Sequence, residues 1–320
     1  MESSVKTKKK YPLGFYVCSL SFTFERMAFY SSKWLIAIFI AASAAKGGLG
    51  LTPADGAKMT ANLVAFTYLT PILGGFIADK WINPRLCVPL GSILMGLGYM
   101  CGWQASVQSS FTYVWLMILL VSIGTGLFKG NLSGINGRLF DNKEDLDGAF
   151  SIQYSFVNIG SFIGTTFVSF IAYSTIGFGG TFLVCAALLF LDAIWFVIGG
   201  KLTFGEVGKK PFKVDEVTEA SGKKVEKVED DPLNKKEKLR VGAILLVTLF
   251  SIVFWVVWYL TSMPILYHWG PDFDYANKAN WVIGNFTVPS SWFDSLNALC
   301  CIVLGPILAR VWAKKAKSKK

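Results

Sequence analysis

Glu25, Arg26, Tyr30 and Lys33 interrupt an apolar run that extends from Tyr11 to Ala45. On a helix Arg26, Tyr30 and Lys33 fall at i, i+4 and i+7, along one face. Two cations and a phenol on one stripe suit a negatively charged ligand group such as a carboxylate. A structural ion-pair network, or a Lys33 whose stem runs out to an interface, is the bland alternative. Glu25 adjoins Arg26, and neighbours at i+1 do not face each other, so its partner is expected on another helix. A charge in mid-bilayer costs roughly 2.5–3.5 kcal/mol on insertion scales. All three charges are therefore expected to face protein or water.

Other polar residues stand in apolar surroundings. Lys129 lies within Gly124-Thr-Gly-Leu-Phe-Lys-Gly-Asn131, where small residues allow close helix approach. It is a partner for Glu25, a ligand cation, or a lysine reaching headgroups; Asn131, Ser133 and Asn136 continue its polar tract. Tyr68 and Pro71 precede Gly74-Gly75-Phe-Ile-Ala-Asp79-Lys80. The glycines let that segment pack tightly, and Asp79 can meet a basic group or helix N-terminus formed in one conformation only. Tyr154 and Asn158 share a face at i, i+4, and a buried asparagine amide binds a ligand or a neighbouring helix. Asp294 and Asn297 also share a face, and the role of Asp192 is open.

The elements that position these groups are apolar helices. Of the 320 residues 53% are hydrophobic and 16% charged, against about 25% charged in soluble domains. Disorder, collagen and disulfide scaffolds are excluded, and a polytopic membrane protein is the default. Charges punctuate eight candidate spans: Tyr11–Ala45, Met59–Ala78, two between Arg85 and Lys129, two between Asp147 and Gly200, Val241–Trp269 and Ser290–Trp312. The domains expected are a basic tail (1–12), a six-helix bundle (13–200), a charged linker (201–240), a partial second bundle (241–313) and a basic tail (314–320). Net charge is +10, yet Lys6, Lys8 to Lys10 and the lysines after Trp312 flank apolar segments, so nucleic acid is not implied. With both ends cytoplasmic, Lys80, Arg85, Arg138, Lys143 and the linker share one side, while the loops Gln104–Ser110 and Ser174–Gly180 carry no charge. The six cysteines lie in apolar runs without metal-ligand spacing, and there is one histidine, His268. No nucleophile stands with a base, so an enzyme is not expected. No cleavable signal is evident. Asn285-Phe-Thr287 is a glycosylation pattern expected to face outside.

Taken together these residues resemble the proton-dependent oligopeptide transporter family, a branch of the major facilitator superfamily. Phe24-Glu25-Arg26-Met-Ala-Phe-Tyr30 looks like the family's span-one Glu-x-x-Glu-Arg-Phe-x-x-Tyr motif. Tyr68-x-x-Pro71-x-x-Gly74-Gly75-x-x-Ala78-Asp79, Phe128-Lys129-Gly130-Asn131, Tyr154-x-x-x-Asn158-Ile-Gly160-Ser161 and Ser295-Leu-Asn297 are similar to its signatures in spans two, four, five and eight. The resemblance implies an all-α fold: a six-helix N-terminal bundle plus the first two helices of the second. It implies proton-coupled symport of di- and tripeptides by alternating access, with the proton as coupling ion and no other cofactor. The residues matching Arg26 and Lys129 meet the peptide carboxylate, and those matching Tyr30, Tyr68, Asn158 and Asn297 line the pocket. Lys33 stands where an arginine is common, keeping charge without the bidentate fork. Tyr154 belongs with the same group, Glu25 with proton coupling, and Gly74, Gly75 and Asp79 with the conformational motif.

Three departures follow from the same comparison. The motif's first glutamate is Phe22, and Phe254-Trp255-Val-Val-Trp258-Tyr259-Leu260 lacks the acid usual in span seven. Glu25 is then the remaining carboxylate of the central site. The family has at least twelve spans, so the chain is expected to be a C-terminally truncated or partial form. Missing helices would come from another chain or be absent. The alternatives are a major-facilitator carrier of another small anion or drug-like solute, and a non-transporting remnant or subunit. The expected setting is the plasma or inner membrane.

Overall fold

Helix starts are written in the local sequence. Thr52 accepts from the backbone N–H of Asp55 at 3.2 Å while the Asp55 carboxylate accepts from the backbone N–H of Thr52 at 3.1 Å, a reciprocal cap with Pro53 in the first turn. Asn83 accepts from Leu86 N–H at 2.9 Å ahead of Pro84. Asn234 and Glu237 exchange bonds of 2.8 and 3.0 Å in the same way. The structure is a computed structural model that describes residues 11–140, 143–212, 234–264, 282–284 and 286–318. Lys6, Lys8 to Lys10, linker residues 213–233, His268, Asn285, Lys319 and Lys320 lie outside the described residues.

Eight long helices carry the described chain: α1 (Leu13–Ala41), α2 (Pro53–Lys80), α3 (Pro84–Gln108), α4 (Phe111–Arg138), α5 (Lys143–Ile163), α6 (Gly177–Thr203), α7 (Lys235–Pro264) and α8 (Trp292–Ser318). The expected all-α polytopic architecture is borne out. α5 runs on into a π-helical turn, Gly164–Val168, and a last turn, Ser169–Ile171. A two-residue ribbon, Val282–Ile283 with Phe286–Thr287, is antiparallel and was not foreseen from the sequence. Among the described residues five helices are long and apolar enough to cross a membrane: α2, α3, α4, α6 and α7. α1 falls short of that composition because it carries Glu25, Arg26 and Lys33.

By residue contacts the chain divides into two units, 1–213 with 291–320, and 214–290. In the first, α3 packs on α4 and α6, α2 on α4, α1 on α2, α5 and α6, and α8 on α5. Phe15, Phe39, Phe128, Phe182, Phe196 and Tyr99 fill its interior. The second unit contains α7, whose large apolar side chains, Leu245, Phe250 and Phe254 among them, are exposed. Polarity is inverted relative to a soluble protein. Glu25, Arg26, Lys33 and Asp192 are buried, while Ile72 and Leu73 are 73% and 66% exposed.

Close approach depends on a few glycines. A Cβ on Gly126 would meet the Thr70 carbonyl oxygen of α2 at 2.7 Å, and one on Gly124 would meet the Gly91 carbonyl of α3 at 2.6 Å. Backbone atoms cannot move aside, so α4 sits against both neighbours only because these positions lack side chains.

Candidate functional site

Glu25 and Arg26 form a bidentate ion pair: both Nε and Nη2 of Arg26 donate to the Glu25 carboxylate. Both are at least nine-tenths buried. This corrects the expectation that Glu25 would find its partner on another helix. Adjacent Cβ atoms diverge, but the guanidinium swings back on three methylenes, and in a dry interior the nearest opposite charge prevails. Arg26 also stacks over Phe29 at 4.6 Å and Tyr30 at 5.6 Å.

The rest of the stripe reaches α8. Lys33 Nζ lies 5.8 Å from the Tyr30 ring and 3.9 Å from Asp294 Oδ2. Trp34 Nε1 donates to that same oxygen at 2.8 Å. Lys33 is therefore an ion-paired, buried residue and does not run out to the interface. Sequence reasoning placed Asp294 only on a shared face with Asn297 and passed over Trp34. An acid heading an otherwise apolar span was the signal available. Below this contact Thr165 Oγ1 and Ser295 Oγ are 2.7 Å apart, and Trp292 Nε1 donates to the Thr166 carbonyl of the π turn at 3.1 Å.

Lys129 of α4 stands over the Tyr68 ring of α2 at 4.6 Å. It lies within electrostatic reach of Arg26 and Glu25. Among the described residues no acid forms an ion pair with it, so Arg26, not Lys129, partners Glu25. The structure thus joins Glu25, Arg26, Tyr30, Lys33, Tyr68 and Lys129 across α1, α2 and α4. Asn158 of α5 is buried but donates to the Tyr154 carbonyl of its own helix at 2.8 Å. The amide binds back along its helix, in place of the ligand or neighbouring helix expected from its chemistry. Tyr154 is 60% exposed, and Asn297 is exposed on α8; neither joins the charged network. Gly160 brings α5 onto α1, where a Cβ would meet Arg26 Cβ at 3.1 Å.

The conformational motif divides. Gly74 is a contact glycine: its Cβ would strike the Gly126 carbonyl of α4. Gly75 has open space, so it is not the second packing residue expected. Asp79, half-buried, makes no ion pair or hydrogen bond among the described residues; the basic group or helix terminus expected to meet it is not there in this conformation. Arg85 takes the structural role instead. Its Nε and Nη2 donate to the Val207 and Gly205 carbonyls at 2.6 Å each, and its own N–H donates to the Gly208 carbonyl at 3.2 Å. The guanidinium thereby clamps the turn after α6 to the start of α3. Gly205 and Gly208 have φ of 54° and 75°, which glycine alone adopts readily. Nothing local to Arg85 announces a contact made 120 residues away.

Inward charges, outward apolar side chains and close-packed long helices define a multi-pass membrane protein. The chain belongs to the Major Facilitator Superfamily, which it matches over residues 23–319. It is 25% identical to the peptide transporter YePEPT of Yersinia enterocolitica subsp. palearctica, over 94% of this chain and 67% of that one. It is also 25% identical to a di-/tripeptide transporter of Lactococcus lactis subsp. cremoris, over 98% of this chain and 72% of the relative. Among solved structures, a peptide transporter POT in complex with sulfate superposes with a TM-score of 0.69 at 21% identity, covering 96% of this chain and 69% of that one. A POT family transporter in complex with 5-aminolevulinic acid gives 0.67 at 20%, covering 96% and 71%. The resemblance to the oligopeptide transporter branch is borne out by these relatives.

Proposed function

We propose that the chain moves small peptides across the cell membrane by alternating access, driven by protons, and that it is not an enzyme. The observation that carries this reading is Lys129: a lysine in mid-helix, over Tyr68, within electrostatic reach of the Glu25–Arg26 pair and without an acid of its own among the described residues. Lys129 is half-buried; a cation within an apolar span is expensive unless something neutralises it, and a peptide carboxylate supplies that charge. When Glu25 takes a proton its ion pair is broken, and Arg26 turns from Glu25 to the same carboxylate. One proton taken up thus accompanies one peptide bound. Tyr30 and Tyr68 flank the cations, and Lys33 is held to one side by Asp294. Asn158, Tyr154 and Asn297 complete the pocket in a state where α5 and α8 turn those faces toward it. No cofactor beyond the proton is called for, and no nucleic acid.

The test is uptake of a labelled dipeptide by proteoliposomes holding the full chain under an inward proton gradient. Lys129→Ala and Arg26→Ala are each expected to reduce uptake at least tenfold. Wild-type uptake in both variants would sink the assignment. Unlabelled di- and tripeptides are expected to compete and nitrate is not; the reverse pattern identifies a carrier of small anions.

A further inference from the structure

A second carboxyl group lies inside the first unit, away from the Glu25–Arg26 pair. Asp192 of α6 is fully buried, as are Ser92 of α3 and Ser21 of α1 beside it. The Ser92 hydroxyl is 2.7 Å from Asp192 Oδ2 and 3.3 Å from the Val88 carbonyl oxygen. Ser21 faces the same carboxyl group, yet among the described residues neither Ser21 Oγ nor Asp192 Oδ1 has a hydrogen-bond partner. Among the described residues no cation stands within ion-pair distance. The ionisable groups that face Asp192 are Glu25 and Cys18, both from α1. The only charged residue of α3 is Arg85, which is occupied by the Gly205 and Val207 carbonyls. α6 itself adds Lys201, in its last turn.

A naked carboxylate in such a place, with a second acid nearby and one hydroxyl for company, is strongly disfavoured. A neutral acid suits the geometry. With a proton on Oδ2, Asp192 donates to Ser92 Oγ and Ser92 donates its own single proton to the Val88 carbonyl, so each polar hydrogen in the chain has an acceptor. Oδ1 is then the carbonyl oxygen of a neutral acid, where lacking a partner costs far less than on an anion. A metal cation fits worse, because one carboxylate and two hydroxyls fall short of the six or so oxygens a hard ion takes.

We propose that Asp192 is a proton-binding site of this chain, loaded in the conformation described and unloaded during the transport cycle. It takes up a proton in addition to the one that Glu25 accepts when its pair with Arg26 opens. The cyclic part of this inference rests on the transport reading; the proton itself does not. Ser21 and Cys18 lie on the α1 face that also bears Glu25, so movement of α1 during alternating access changes the surroundings of both acids together.

Two measurements test it on the full chain in liposomes. The first is infrared absorption of protonated carboxyl groups at neutral pH, with no substrate present. A band is expected in the wild type, retained in Glu25→Gln, displaced in Asp192→Glu and lost in Asp192→Asn. Its absence from the wild type, or its survival in Asp192→Asn, overturns the proposal. The second is peptide uptake. Asp192→Asn is expected to lose proton-driven accumulation at least tenfold while keeping downhill exchange within about twofold; full accumulation in that variant also overturns it. Should sodium raise the melting temperature of the wild type but not of Asp192→Asn, the site binds sodium and the proton assignment is wrong. A wild type that takes up no peptide yet shows the band refutes the transport reading and leaves the proton in place.

Discussion

Arg26 and Glu25 show how a pair can be legible and its pairing not. Two adjacent opposite charges in an apolar run are plain in the sequence, and so is the need to turn them from lipid. The direction of each Cβ is set by the helix, but the reach of a guanidinium is set by rotamers that sequence spacing does not encode. The pair's burial fixes what its loss should do. Removing one member of a buried ion pair strands the other, typically at about 3–5 kcal/mol, whereas removing both is far milder. Arg26→Ala should therefore lower the melting temperature in detergent sharply, and Glu25→Ala/Arg26→Ala should recover most of the loss. Lys129→Ala, with no ion pair to break, should melt close to wild type while losing uptake, separating a binding role from a structural one. Asn158 teaches the converse. Its position was readable, but the carbonyl four residues back competes for its amide whenever a ligand is not there to win.

Between helices, the deciding residues are the smallest. Gly74 and Gly75 are neighbours of identical chemistry, and only one is pressed against another backbone. Gly74→Ala should destabilise the α2–α4 contact and reduce the yield of monodisperse protein. Gly75→Ala should be neutral or stabilising by up to about 1 kcal/mol, as for a solvent- or lipid-facing helical glycine. The measurement is a melting curve for each by size-exclusion after heating. Which glycine is buried depends on the helix rotation, and two adjacent glycines sit about 100° apart. Arg85 is an element-scale residue as well, since it binds a turn made by two left-handed glycines far along the chain. Arg85→Ala should cost about 1–3 kcal/mol through lost charge-assisted bonds, and Arg85→Lys should recover little, because one ammonium cannot span two carbonyls in a fixed fork. Helix limits were partly readable: α3 starts at Pro84, beside the Arg85 that marks it in the charge pattern, whereas α2 starts at Pro53, ahead of the Met59 expected.

At the scale of the molecule, charges together with the uncharged polar breaks Gln104–Ser110 and Ser174–Gly180 mark the eight helices, and the same charges give an orientation that can be checked. In a background where Cys300 and Cys301 are serine, Lys209→Cys should react with a membrane-impermeant maleimide from the cytoplasmic side only. Gln108→Cys should react from the opposite side only. Labelling of both from one side would reverse or break the assigned topology. The grouping of the helices was less accessible. The partnership of α8 with α5 rests on Thr165, Thr166, Trp292 and Ser295, single polar atoms meeting across more than a hundred residues, and no periodicity carries that information. The relatives cover this chain almost entirely while extending beyond it, so the matched part spans 67% and 72% of two peptide transporters.

The π turn of α5 has a consequence for biosynthesis. Its Thr166 carbonyl is bonded to Trp292, 126 residues later in the chain. At about 5–20 residues per second, a nascent chain spends roughly 6–25 seconds between making the acceptor and making its donor. During that interval α5 is threaded into the bilayer with an unfinished turn. The fifth helix, though early in order of synthesis, reaches its final form only after the eighth arrives, and a chaperone or insertase that shelters polar backbone would find its client there.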